Sequence, residues 1–463
     1  MTDWDGKKVI MIGAARQGLA LSRYLAGQGA SVTVNDRRPE ADLTDIKESL
    51  SQHGIRLVAG SHPLELLDGA DLVCLSGGVP LELPLIQEAF LRNIPLSNDS
   101  QIFLERVPCK VIGITGSAGK STTTALVGEI AQRHFVLKHP NNRVWVGGNI
   151  GNPLISYLDQ IQPDDLAVME LSSFQLEIMT RSPQIAAILN LTPNHLDRHI
   201  TMANYISAKS QILTHQSPND IAVLNRDDGN VRELYGEVKG RKITFGLNMP
   251  HDQQEATYYK RGKLFLQASG QTAKIINENI ITLRGKHNIY NILAAIAISA
   301  AASFSMQAIY EGISSFSGMP HRMEFVKQLH GADWYNDSIA TAPERTIAAI
   351  ESFEEPIVLL AGGRDKDLPW EKLAQRIHER VDHLVLFGEA AELIEKAVGS
   401  SSPDQRPFTL DRCNGLHDAV LVAAEQAEAG DVVLLSPGGT SFDEFIDFED
   451  RGRCFIKWVK ELS

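Results

Sequence analysis

Cysteine, aromatic residues, long apolar runs and basic charge are all scarce in this chain, and each scarcity removes a class of function. Only four of 463 residues are cysteine: Cys74, Cys109, Cys413 and Cys454. None belongs to a CxxC pair, so neither a zinc site nor a disulfide framework is expected, and free thiols fit a reducing cytoplasm. The longest apolar run, NILAAIAISAAASF at 291–304, is too short and too rich in alanine to cross a bilayer and reads as a buried helix. Lys and Arg total 44 against 57 Asp and Glu, a formal net charge of −13. That balance argues against nucleic acid or a membrane surface as partner, since both require basic stretches. It leaves room for anionic small molecules held by helix N-termini and single cationic side chains. The polar start MTDWDGKK has no apolar signal core, so a cytoplasmic location is expected. No heptad or exposed apolar stripe stands out, and a monomer is the default.

Glycine is plentiful, with 36 residues, and two glycine-rich turns organise the reading. KVIMIG (8–13), a helix over 18–29, SVTVND (31–36) and LVCLSGG (72–78) form a strand, turn, helix, strand pattern typical of a parallel sheet. A second α/β unit opens at KVIGITGSAGKSTTTALVGEIAQ (110–132) and continues through strands at 166–172, 185–192 and 221–225. The less regular stretch 236–284 suggests a small extra sheet, and 287–304 a strong helix. A third unit has strands at 356–363, 383–388 and 431–439, with a last helix near 455–462. The expectation is an α/β protein of three domains: Rossmann-like 1–98, a central P-loop ATPase-like parallel-sheet domain 99–318, and Rossmann-like 319–463.

GITGSAGKSTTT (113–124) lies between a strand and a helix, the context a phosphate loop needs. Gly113, Gly116 and Gly119 let the backbone turn tightly, so that successive N–H groups face one concavity at the positive end of a helix. Lys120 can reach the outer phosphates of ATP, and Ser121 can ligate Mg²⁺. Glu170 closes the apolar strand of VMELSSFQLE (168–177), on the rim of a parallel sheet where ligands bind. His195 follows another strand, and Lys209 comes from a helix. Singly, a rim ion pair, a capping histidine and a surface lysine account for them. With GKS in one domain, they fit a two-metal phosphoryl-transfer site.

The order of the motifs TGSAGKST (115–122), GGNIG (147–151), ELSSFQLE (170–177), NHLDRH (194–199), HNIYN (287–291), PHRME (320–324), NDSIAT (336–341), GGRDK (362–366) and LSPGGTSFDEF (435–445) resembles the Mur ligases. These are ATP-dependent amino-acid-adding enzymes of peptidoglycan precursor synthesis, and the chain looks most like their D-glutamate-adding members. The resemblance spans essentially the whole chain. It implies that the first turn holds the uridine diphosphate of UDP-N-acetylmuramoyl-L-alanine, through Arg16, Gln17, Asp36, Arg37, Ser76 and Gly78 with Asn149 and His195. The second loop, Gly116, Ser117, Ala118, Gly119, Lys120, Ser121 and Thr122, would hold ATP, with Asn288 and Asn291 at the nucleoside, Arg322 at a phosphate and Asp337 at the ribose. Lys120, Glu170, His195 and Lys209 would be catalytic. Two Mg²⁺ ions would lie near Ser121, Glu170, His195 and Lys209, with Lys209 carbamylated by CO₂. Glutamate would meet Thr341, Lys366, Ser441 and Phe448.

Residue chemistry leaves alternatives beside these roles. His195 suits metal ligation or acid/base work. Asn288 and Asn291 share a helical face that can read a nucleoside or cap and pack. Ser441 is also an ordinary N-cap residue. The first turn departs from GxGxxG, and a nicotinamide domain is its rival reading. Ala118 stands where the resembling enzymes usually have Asn, Ile339 where a lysine is common, and Arg364 where some have an acid. Selection of D- over L-glutamate is therefore open. A ligase for another amino acid or a nucleotide-binding module without turnover are the competing functions. The DNPR-like stretch expected of diamino-acid-adding ligases is absent from the sequence.

Overall fold

A computed structural model describes residues 3–250, 254–268, 270–366, 368–399 and 408–463, apart from the side chains of Leu196 and Asp197. It divides into two compact units: Met1–Ile281 with Lys286–Phe316, and Thr282–Gly285 with Ser317–Ser463.

The first unit holds two sheets. Strands β1 (Lys8–Ile12), β2 (Ser31–Asp36), β3 (Arg56–Ala59), β4 (Leu72–Leu75) and β5 (Leu96–Ser97) form a parallel sheet in the order β3-β2-β1-β4-β5. After Lys8, β1 is apolar because both its faces are covered: Val9 and Met11 join one core cluster, and Ile10 and Ile12 the other. The order reverses at β1, which opens a crevice at the strands' C-terminal ends. The turn from β1 into helix Arg16–Gly27 sits there.

The central sheet comprises β6 (Lys110–Thr115), β7 (Val144–Gly148), β8 (Leu166–Glu170), β9 (Ile185–Ile188), β10 (Ile221–Asn225), β11 (Arg241–Gly246), β12 (Ala256–Lys260), β13 (Lys263–Ala268) and β14 (Gln271–Asn277). Its order is β14-β13-β12-β11-β10-β9-β6-β8-β7. The irregular stretch expected to make a small extra sheet instead continues this one. β12 pairs parallel with β11, and the short antiparallel hairpins β12-β13-β14 carry the sheet outward. Helix Lys120–Lys138 follows β6 and is covered by helices Lys286–Ala301 and Met306–Ser315. Gly312 allows the closest approach, for a Cβ there would lie 2.6 Å from Ile130. The apolar run at 291–304 is thus a core helix, and among the described residues no helix is long and apolar enough to cross a membrane.

The second unit is built on β15 (Glu324–Leu329), β16 (Ala332–Asn336), β17 (Ile357–Gly362), β18 (Val381–Phe387), β19 (Thr409–Arg412) and β20 (Val432–Gly438), in the order β15-β16-β20-β17-β18-β19. Among these described strands, only β15 runs antiparallel. The short excursion Thr282–Gly285 brings Arg284 onto this unit. Its guanidinium pairs with Glu355 and Asp333 and lies 5.5 Å from the Tyr335 ring and 5.6 Å from that of Phe353.

Candidate active site

β6 lies between β9 and β8, and the glycine-rich loop leaves it at the point where the central sheet's strand order turns. Gly119 caps the following helix with φ +82°, a left-handed conformation that suits glycine. A Cβ there would lie 2.2 Å from Asn291 Oδ1, so Asn291 sits directly against the loop. Its amide donates to Asn288 Oδ1 at 3.0 Å. The two asparagines singled out from HNIYN are thus brought to the phosphate loop. Lys120 Nζ curls back to the carbonyls of Gly116 (3.0 Å) and Ser117 (3.2 Å).

A residue not singled out from sequence fixes the loop. Asn190, just past β9, accepts from Ala118 N–H through Oδ1 (2.8 Å) and donates to the Ala118 carbonyl (3.0 Å). Ser117 is tied by its N–H to the Asn190 carbonyl at 2.9 Å, and its hydroxyl meets the Thr192 carbonyl and Tyr205 hydroxyl, each at 2.9 Å. Ala118 is exposed and contributes only backbone polarity, while Ser121 is half-buried and Thr122 buried.

Strand register sets the next group. Glu170 pairs across β8 with Ile114 of β6 and Gly148 of β7, at the same sheet edge as the loop. It is 1% exposed. One carboxylate oxygen accepts from Asn149 Nδ2 at 2.8 Å, and Oε2 is buried with no hydrogen-bond partner. Lys209, on helix Met202–Thr214, is 2% exposed and donates to Thr115 Oγ1 at 3.2 Å. Its ammonium lies 5.0 Å from the Tyr205 ring. Burial, reinforced by the Lys120 charge and opposed by that of Glu170, brings its pKa down to about 7. Tyr205, not singled out from sequence, stands four residues before Lys209 on the same helical face, a spacing that brings the two side chains together. Lys120, Glu170 and Lys209 therefore form one electrostatic group. His195 is exposed, with φ +52°, and its ring meets Phe174 edge-on at 5.2 Å. The buried His199 stacks on the same ring and bonds Ser173 Oγ at 2.9 Å. Among the described residues, no three or more His, Cys, Asp or Glu converge as a ready-made metal cluster.

At the first sheet, Gly13 (φ +93°) makes the turn, and a Cβ there would lie 2.9 Å from Ser76 Cβ. Asp36 accepts from Ala14 N–H at 2.7 Å and from the Arg38 guanidinium at two oxygens, each at 2.9 Å. Burial alone would raise its pKa, but the Arg38 and Ala14 hydrogen bonds hold it at about 2. Arg38, overlooked in the sequence, is the partner of Asp36, whereas the neighbouring Arg37 is exposed. Gln17 and Ser76 are buried, and Gly78 is exposed with φ +90°. Arg16 donates to the Asn149 carbonyl at 3.2 Å, linking this turn to the end of β7, whose Gly148 pairs with Glu170 of β8.

The second unit gathers the remaining residues. Asp337 follows β16, accepting from Ser436 Oγ (2.9 Å) and Met323 N–H (3.2 Å), and burial drives its pKa up to about 7. Arg322, one residue before Met323, is exposed and eases that shift by its charge. Ser441 is buried just past β20, Thr341 and Phe448 are half-buried, and Lys366 is exposed. Arg451 is entirely buried and was not anticipated. It donates to Ser338 Oγ (3.0 Å) and to the carbonyls of Ser338 (2.9 Å), Gly439 (3.2 Å) and Thr440 (3.0 Å), binding together the loops that lead to Thr341 and Ser441.

Comparison with known proteins agrees along the whole chain. Residues 7–97 match the Mur ligase MurD-like N-terminal domain, 114–299 the Mur ligase middle domain and 321–439 the Mur ligase glutamate ligase domain. The sequence is 40% identical over 460 residues to a UDP-N-acetylmuramoylalanine–D-glutamate ligase of Symbiobacterium thermophilum, covering 99% of this chain and 98% of that one. It is 37% identical to the enzyme of the same name from Koribacter versatilis, covering 100% and 99%. Among solved structures, UDP-N-acetylmuramate-alanine ligase MurC of Thermotoga maritima aligns over 98% of this chain and 99% of its own, with TM-score 0.57 and 19% identity. MurF of Acinetobacter baumannii aligns over 100% and 93%, with TM-score 0.56 and 18% identity. At these identities the two structures speak to the fold alone.

Proposed function

The chain belongs to the Mur ligases, and from that premise we propose that it joins D-glutamate to UDP-N-acetylmuramoyl-L-alanine, converting ATP to ADP and phosphate, in peptidoglycan precursor synthesis. The observation that carries the chemistry is the grouping of Lys120, Glu170 and Lys209 around the ends of adjacent central strands. A carboxylate is a poor electrophile. Transfer of the γ-phosphoryl of ATP to it releases ADP and leaves an acyl phosphate. The amine of glutamate attacks that carbonyl, a tetrahedral intermediate forms, and its collapse expels phosphate as the amine loses its proton. The loop amides of Gly116–Lys120 and the Lys120 ammonium suit the triphosphate, with Asn288 and Asn291 at the nucleoside, and Arg322 and Asp337 are further candidates for ATP contact. In this reading residues 1–98 seat the sugar nucleotide, 99–318 ATP and 319–463 glutamate, the last through Thr341, Lys366, Ser441 and Phe448. In this reading the reaction is placed in the cytoplasm, where scattered free thiols also fit.

The donor set suits Mg²⁺. The unpartnered Oε2 of Glu170 is a hard anionic oxygen at the strand end next to the phosphate loop, and Ser121 and His195 are the further candidate ligands in a two-ion reading. When bound, Mg²⁺ supplies charge neutralisation for the phosphoryl group in flight. Lys209 is the candidate for carbamylation: its neutral amine attacks CO₂, forming an N–C bond and releasing one proton, and the resulting anion adds an oxygen ligand. Labelled bicarbonate and carbon-13 NMR test this, since active enzyme without a carbamate resonance sinks it. The reaction is tested by phosphate release from ATP with UDP-N-acetylmuramoyl-L-alanine and D-glutamate, L-glutamate or no amino acid. Release with D-glutamate alone is expected. Release without any amino acid overturns the ligase reading, and release with L-glutamate moves the enzyme's specificity.

A further inference from the structure

Two guanidinium groups run between the first sheet and the central sheet in opposite directions. Arg16 reaches from the first turn to the Asn149 carbonyl. Arg198 reaches the other way, from the one-turn helix Leu196–His199 to the Val79 carbonyl at 3.2 Å. That carbonyl ends a tight turn in which Val79 N–H donates to the Ser76 carbonyl at 3.2 Å and Gly78 has φ +90°. The turn packs on the first glycine-rich turn: a Cβ on Gly13 would meet Ser76 and Val79 at 2.9 and 3.2 Å, and one on Gly77 would meet Gln17 Oε1 at 2.9 Å. The same guanidinium lies 5.3 Å over the Phe174 ring, which His195 meets edge-on and His199 stacks upon. One side chain thus ties the turn bearing Ser76 and Gly78 to the segment bearing His195.

The Nε of Arg198 is buried without a hydrogen-bond partner. A buried donor with no acceptor is costly to keep, and a scaffolding contact made through Nη2 alone would not demand it. A planar group that both stacks on an aromatic face and reaches a carbonyl does demand a guanidinium. We propose that Arg198 is a positioning residue for the sugar nucleotide. It locks the Ser76–Val79 turn in the conformation that seats the diphosphate, and so sets the substrate's carboxylate relative to the group at Glu170 and Lys209. This rests on the ligase reading above.

The test uses the full chain, wild type, Arg198→Met and Arg198→Lys, with steady-state ADP release and thermal melting. Arg198→Met is expected to raise KM for UDP-N-acetylmuramoyl-L-alanine about tenfold, the scale of one charged hydrogen bond. KM for ATP should stay within about twofold of wild type, as should that for D-glutamate, with Arg198→Lys in between. Melting of the three proteins should agree closely. If the sugar-nucleotide KM is unmoved in both variants, or all three KM values rise together, the proposal is overturned. Should Arg198→Met fail to fold, Arg198→Lys and Phe174→Leu read the same quantity, and an unmoved sugar-nucleotide KM in both overturns it. A wild-type enzyme that releases no ADP fails the ligase reading instead, whereas an active wild type with unmoved variants fails the Arg198 proposal alone.

Discussion

Lys120 holds the carbonyls of its own loop in this structure, and turning the same ammonium onto a phosphate exchanges two neutral acceptors for an anionic one. Lys120→Ala should therefore abolish ligation. Turnover above a tenth of wild type, which is about 1.4 kcal/mol of transition-state stabilisation, would remove it from the catalytic set. Asp337 makes a different kind of prediction. Its buried carboxyl titrates near 7 against an ordinary 3.8. Between those values the folded protein keeps a proton that the unfolded chain has released, so stability falls as pH rises through the window and levels off above it. Asp337→Asn should melt higher than wild type at pH 8, with the gap closing toward pH 4, while ATP binding weakens. A gap of constant size across that range would contradict the burial argument. This carboxylate is kept at a cost to the fold, as expected of a group with a ligand to meet.

At the scale of elements, the junction of β6 and helix Lys120–Lys138 is the most constrained position. Gly119→Ala places a Cβ against Asn291 Oδ1 in a left-handed backbone. It should cost about 1–3 kcal/mol and erase the thermal shift given by ATP; a normal ATP shift would show that the loop accommodates the side chain. The strand, glycine loop and helix here were legible in the sequence because glycine spacing and β-branched runs encode them locally. The same holds for Glu170, whose place at a strand end follows from an apolar run with one acid after it. Asn190, Arg38 and Arg451 were not legible. Asn190 and Arg451 act by hydrogen bonds to backbone groups of other segments, and Arg38 by clasping the Asp36 carboxylate and the Ala14 carbonyl; no local pattern marks an Asn that clamps Ala118 from past β9 or an Arg that binds carbonyls more than ten residues away. The strands β12–β14 were seen but misplaced, because sheet membership depends on edge pairing rather than on strand propensity.

For the molecule as a whole, a net charge of −13 coexists with a reading in which every substrate is an anion. Individual cations and backbone amides, not the global field, have to select them. The two compact units are joined by a chain that leaves the first unit at Ile281, anchors Arg284 in the second, and returns at Lys286. Arg284→Ala should lower stability by about 1–2 kcal/mol in urea titration, from two partly exposed ion pairs and two cation–π contacts. An unchanged midpoint would reduce the excursion to a linker. The order of segments also has a consequence during synthesis. Helix Lys120–Lys138 emerges early, but the helices that cover it, Lys286–Ala301 and Met306–Ser315, leave the ribosome only after all nine strands of the central sheet. At about 5–20 residues per second the interval is on the order of ten seconds. Through it the nascent chain displays Ile130, a side chain that packs against Gly312 and is fully buried in the finished protein. Chaperones have that long to find an unfinished nucleotide-binding unit, and the last helix to arrive, through Gly312, closes it.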